Sequence, residues 1–143
     1  MSVVALGREL FHLRRLNRIG WRYINAIPFT REDGLIPLTR FFLDPPKFFA
    51  INSSAYQGIS LHATTRVEDF SITARLESAE SLAQSNEILA FDIDAFREGL
   101  DGTHYENHEI REATEKLHNA ARNYFEGSIS DSYRKFLLGE SYE

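Results

Sequence analysis

The chain has 143 residues, 43% of them hydrophobic and 26% charged, with 16 Lys and Arg against 21 Asp and Glu and a formal net charge of -5. A chain of this length is expected to form one domain that buries about two-thirds of its unfolded surface, and the composition is that of neither a disordered nor a membrane-embedded protein. The absence of cysteine excludes disulfides, thiolate metal ligands and cysteine nucleophiles, and the acidic excess argues against a dedicated duplex-DNA binder.

From Val3 to Leu16 the apolar residues Val3, Leu6, Leu10, Leu13 and Leu16 recur every three to four positions, which predicts an amphipathic helix with Phe11 beside its stripe and Ser2 as its cap. Arg8, Arg14 and Arg15 interrupt it, so neither a signal peptide nor a membrane span is expected there, and a cytoplasmic location follows by default. The next stretch, Arg18 to Ile27, alternates. Ile19, Trp21, Tyr23, Asn25 and Ile27 form one face and Arg18, Gly20, Arg22, Ile24 and Ala26 the other, a half-buried strand that Pro28 should stop.

From Pro28 to Phe48 three of the four prolines occur, and the segment reads as a crossover or rim. Within it, Pro37 to Leu43 can form a short helix with proline in its first turn. The rim either covers one end of the core or offers a place for a partner to touch. A hairpin follows, with Ile59, Leu61, Ala63, Thr65 and Val67 on one face, Glu68-Asp69 as a two-residue turn, and Phe70, Ile72, Ala74 and Leu76 returning on the same face. The register then pairs Val67 with Phe70 and His62 with Arg75. The turn residues are less ideal than Asn-Gly, which leaves a slightly longer loop open as well; Phe48 to Tyr56 could extend the first strand, with Gly58 marking a bulge or bend.

A last strand is expected from Glu87 to Ala95, with Leu89, Phe91, Ile93 and Ala95 inward and Asp92 and Asp94 outward. A long helix then buries Ile110, Ala113, Leu117, Ala121 and Tyr124 and ends at Gly127. Ser130 caps a final short helix from Asp131 to Leu138, closed by Gly139. The expected architecture is α+β, an antiparallel sheet of about four strands with the N-terminal helix and the long C-terminal helix on one face.

The candidate site is the other face of that sheet together with the basic cluster at its start: Arg14, Arg15, Arg18, Arg22, His62, Arg66, Arg75, Asp92 and Asp94. Asp92 and Asp94 stand two residues apart on one strand face. They read as partners of Arg22, Arg66 or Arg75 in an ion-pair network, with Mg²⁺ chelation or acid-base work as the alternative. His62 beside Arg75 reads as a cross-strand contact. The cluster Arg14, Arg15, Arg18 and Arg22, with Trp21 and Tyr23 interleaved, imitates a single-stranded nucleic-acid platform, but alternation puts the aromatics and the arginines on opposite faces. His104, His108 and Glu112 share a helical face at metal-ligand spacing, yet the second histidine of a zinc-protease motif is missing and a solvated face is the plainer reading. No nucleophile elbow, triad or glycine-rich phosphate loop is present, so no catalytic residue or cofactor is assigned.

The strand Arg18-Ile19-Gly20-Trp21-Arg22-Tyr23-Ile24-Asn25-Ala26-Ile27 resembles the signature strand of an uncharacterised, sporadically distributed bacterial and archaeal protein family. Phe91-Asp92-Ile93-Asp94-Ala95-Phe96 and Leu117-His118-Asn119-Ala120-Ala121, running on into Phe125 to Asp131, are similar to two further motifs of that family in the same order. Trp21 stands where the family generally has leucine, and Ala26 where it often has a basic residue. Members are usually longer, and this chain resembles their C-terminal half, although Met1 fits a natural start. The resemblance implies no activity. It does imply a surface that the other half would cover, which a homodimer or a separate protein partner would hide.

The expected function is thus a non-catalytic interaction or self-association module, and the family's sporadic distribution would suit an accessory toxin-antitoxin or phage-defence component. The alternative is a small nucleic-acid-binding or metal-dependent nucleic-acid-processing protein that uses the arginines with Asp92 and Asp94.

Overall fold

A computed structural model describes residues 16–47, 55–80, 87–103 and 106–139. Four strands, β1 (Leu16–Phe29), β2 (Ser60–Val67), β3 (Phe70–Glu80) and β4 (Glu87–Thr103), form one antiparallel sheet in the order β1-β4-β3-β2. Three helices among the described residues, α1 (Leu38–Phe41), α2 (Asn107–Ser128) and α3 (Asp131–Leu137), make the fold α+β. The predicted N-terminal helix lies outside the described residues, except that Leu16 already belongs to β1.

The hairpin β2-β3 has the predicted register throughout, from Val67 opposite Phe70 to Ser60 opposite Glu77. Glu68 takes the left-handed conformation (φ 53) that a two-residue hairpin turn demands, at a steric cost that asparagine or glycine would not incur. Strand β4 continues the meander along β3, and its far edge pairs with β1, from which the rim leads across to β2 at the opposite edge.

Two predicted boundaries move. Pro28 does not stop β1, which pairs through Pro28 to Phe29. Because β1 is an edge strand, a missing N–H on its outer side costs no ladder bond. Strand β4 passes the expected end at Ala95 and runs to Thr103, since the first residues of β1 extend the ladder alongside it, with a register shift between Leu16 and Arg18.

Helix α2 crosses β1 and β4 and places Ile110, Leu117 and Ala121 on Ile27, Leu89, Phe91, Ile93 and Ala95, all buried. Thr114 is also buried in this seam. Its hydroxyl donates to the Ile110 carbonyl at 2.7 Å, so the polar group carries its partner with it. Tyr124, expected on the buried stripe, is 40% exposed, and Gly127 lies within the last turn rather than ending the helix. Ser130 caps α3 as predicted: its Oγ accepts from the Tyr133 amide at 3.1 Å and donates to the Arg40 carbonyl at 2.6 Å.

One helix is narrower than four strands, about 10 Å against about 19 Å. The helix-side face of β2 is therefore only partly covered. Ala63 and Thr65, predicted as core, are exposed, while Leu61 and Val67 are half-buried. Two open grooves lie beside α2: one of about 650 Å³ lined by Val67, Phe70 and Lys116, and one of about 480 Å³ lined by Leu61, Ala63, Phe42 and Tyr124.

In the rim, Asp33 (φ 52) and Gly34 (φ 79) make a tight turn between Glu32 and Leu35. Arg31 anchors it. Its guanidinium grips both oxygens of Glu87 at 2.8 to 3.0 Å and donates to the carbonyls of Gly34 at 2.9 Å and Gln57 at 2.7 Å, joining the end of β1, the rim, the approach to β2 and the start of β4. Ala55 and Tyr56, the described end of the stretch expected to extend β2, do not join the strand, and the chain bends at Gln57 and Gly58 before β2 begins.

Candidate functional site

The helix-free face of the sheet is a grid whose levels follow from the two registers. Reading from β1 across β4 and β3 to β2, one level is Ile24, Asp92, Arg75, His62; the next is Arg22, Asp94, Thr73, Thr64; and a third is Gly20, Phe96, Ser71, Arg66. On the other side of the first lie Ala26, Ala90, Glu77 and Ser60, then Pro28, Ile88 and Ala79. The predicted residues of this face, Arg18, Arg22, His62, Arg66, Arg75, Asp92 and Asp94, thus share one surface. Arg14 and Arg15 lie outside the described residues.

At the centre is a concavity of about 320 Å³ lined by Arg18, Arg22, His62, Arg75 and the two aspartates, with Thr73 and Phe96. Arg22 grips Asp92 with both ends of its fork, Nε to Oδ1 at 2.8 Å and Nη2 to Oδ2 at 2.5 Å. Arg18 reaches Asp94 at 2.6 Å and Glu98 at 3.3 Å. Both links to the aspartates run diagonally between β1 and β4: Arg22 sits opposite Asp94 and meets Asp92, and Arg18 sits opposite Glu98 and also reaches Asp94. Of the three arginines expected to neutralise the aspartates, only Arg22 makes a hydrogen bond to one. Arg18 takes the other, and Arg66 and Arg75 hydrogen-bond to no described side chain.

The Arg22 hydrogen bond holds the Asp92 carboxyl below the usual aspartate range, against partial burial that pushes it up, with the charges of Arg22 and then Arg75 adding to the depression. The Asp92 side chain is 13% exposed and that of Arg22 55%, so the carboxylate is sheltered while the guanidinium meets water. The same bond raises the affinity of Arg22 for its proton.

Gly20 makes room for Arg18. A Cβ there would stand 2.8 Å from the Arg18 guanidinium and 3.3 Å from the Phe96 Cβ, while Arg18 lies over the Phe96 ring at 4.6 Å. Phe96 is thereby closed to a stacking base. Trp21 and Tyr23 lie on the opposite side of the sheet against α2, where His118 sits between them: its ring is 4.4 Å from Trp21, and its Nε2 is 3.0 Å from the Tyr23 hydroxyl. Asn25, in the same row, donates to the Phe91 carbonyl at 3.3 Å.

This aromatic cluster escaped sequence reading, because it needs α2 to cross β1 at His118. It makes a measurable prediction. Trp21 is the chain's only tryptophan, and His118→Ala, which removes the ring 4.4 Å from it, should shift its emission maximum. A His118→Phe variant, which keeps a ring against Trp21, should shift it less.

Among the described residues no group of three His, Asp or Glu side chains could hold a metal ion. His108 and Glu112 are exposed on α2, and His104 lies outside the described residues. Asp92 and Asp94 are each occupied by an arginine. Among the described residues no helix is long and apolar enough to cross a membrane. Neither the protein-family models, nor the curated proteins, nor the solved structures compared with the chain give a match.

Proposed function

We propose that the chain is a non-catalytic protein-interaction module that works through the helix-free face of its sheet, by self-association or by binding a second protein. The observation that carries this reading is an open face on which Ile24 is 65% exposed beside an arginine-aspartate network. Monomeric proteins usually turn charged side chains outward on such a face; here apolar Ile24, Ala26, Ala90 and Ile88 adjoin oriented ion pairs, a mixture suited to a specific contact.

Nucleic acid is the second reading, favoured by the free donors of Arg66 and Arg75. The acidic net charge, the covered Phe96 ring and the placement of Trp21 and Tyr23 under α2 weigh against it.

Affinity capture with the full chain tests the module. Ile24→Lys changes an exposed residue and should release the bound protein, whereas Arg122→Glu on the outer side of α2 should retain it. Equal capture by both variants would refute the assignment of the face.

A further inference from the structure

The open face is complementary to itself, and we infer that the protein packed on it is a second copy of this chain, related by a two-fold axis parallel to the strands and midway between β4 and β3. This rests on the reading of that face as a protein contact surface. Such an axis lays β1 over the partner's β2 and β4 over the partner's β3 while leaving every level of the grid at its own height.

The matches follow level by level. Ile24, Asp92, Arg75 and His62 meet their own reverse, so Asp92 faces the partner's Arg75 and Ile24 faces the partner's His62, each contact occurring twice. Asp92 already accepts from Arg22 through both oxygens, but a carboxylate offers about four acceptor directions and has room for a second guanidinium. Arg75, which hydrogen-bonds to no described side chain, gains its acceptor from the other copy. One level along, Asp94 faces the partner's Thr73. Beyond that, the partner's Ser71 stands over Phe96, and the partner's Arg66 stands over Gly20 beside the Arg18 guanidinium, whose charge Asp94 and Glu98 neutralise.

The division of charge selects this axis over its alternative. The β1-β4 half of the face carries Arg18 and Arg22 against Asp92, Asp94 and Glu98, one negative charge in excess. The β3-β2 half carries Arg66 and Arg75 against Glu77, one positive charge in excess. A strand-parallel axis brings unlike halves together, whereas an in-plane axis across the strands stacks each half on its like. Small residues at Ala26, Ala90 and Ala79 let the sheets approach to the usual spacing of about 10 Å. Four strands and five levels offer about 600 Å² per copy, or about 1,200 Å² in all, the lower bound of a standard interface.

Sedimentation equilibrium of the full chain should give twice the 16.5 kDa chain mass at micromolar concentration. Ile24→Lys and Arg75→Glu should each weaken self-association by more than about tenfold, with unchanged circular dichroism. Mixing Arg75→Glu with Asp92→Arg should restore the dimer, because the mixed pair has one Glu-Arg contact and one native Asp-Arg contact; Ile24→Lys keeps the test open if Asp92→Arg fails to fold. A wild-type monomer at about 100 μM, or a dimer indifferent to Ile24→Lys and Arg75→Glu, would overturn the inference. A monomer that captures a different protein through Ile24 would overturn self-pairing and leave the module standing. A monomer that instead binds an oligonucleotide through Arg66 and Arg75 would overturn both.

Discussion

Ile93→Ala is expected to lower the free energy of unfolding by about 3 kcal/mol, and Ile24→Ala by less than about 0.5 kcal/mol. The two isoleucines sit on adjacent strands of one sheet and differ in the face they occupy. Ile93 has no exposed surface and lies between Tyr23 and Ala74 on the flanking strands, under α2. Truncating it removes buried methyl and methylene groups and leaves a cavity that the ladder on both sides prevents from collapsing. Ile24 is 65% exposed and has nothing above it among the described residues. Urea midpoints of both variants, at unchanged m-value, check the pair. A cost at Ile24 comparable to that at Ile93, measured well below the concentration of any self-association, would show that the face is covered within one chain.

The second large effect concerns acid. Asp92→Asn should destabilise the fold by about 1 kcal/mol near neutral pH, less than a sheltered ion pair would suggest, because the exposed guanidinium of Arg22 is screened by water. The sign with pH follows from the depressed Asp92 carboxyl. The folded state holds this carboxylate more readily charged than the unfolded chain does, so the stabilisation is complete above the unfolded aspartate range and is lost as pH falls through the lower folded value. The stability gap between wild type and Asp92→Asn should therefore stay constant from neutral pH down to the ordinary aspartate range and narrow below it. Thermal melts of both proteins at a series of pH values measure this directly, and a gap that widens in acid would contradict the assigned pair.

Much of this site could be read before any coordinates, for reasons that differ by element. The hairpin register was legible because a two-residue turn and a period of two leave one solution, even with Glu68 in the unfavourable turn position. The faces of β1 were legible from the same alternation, which correctly separated Trp21 and Tyr23 from Arg18 and Arg22. The partners of Asp92 and Asp94 were only half legible. They depend on β1 lying beside β4, a choice of strand order that no local pattern encodes, and on diagonal rather than direct pairing.

The exposure of Ala63 and Thr65 was hidden for another reason: alternation tells which face a side chain joins and says nothing of whether a helix covers that part of it. Arg31 had no signal of its own, since two of its three partners, Gln57 and Glu87, lie far away in sequence. The Asp33-Gly34 turn that it anchors did have one, a dipeptide made for left-handed backbone, and it was there to be read.

The strand order also sets a sequence in time. Strands β2 and β3 meet across two turn residues, whereas Arg22 and Asp92 are 70 positions apart and Arg18 and Asp94 are 76. Closing the hairpin costs little chain entropy; seating β1 against β4 costs the entropy of the whole intervening chain. The ion pairs of the open face then form only when the last strand docks. Weakening them should speed unfolding and leave the folding rate nearly untouched. The surface on which a second copy would settle is therefore the last part of each chain to come into being.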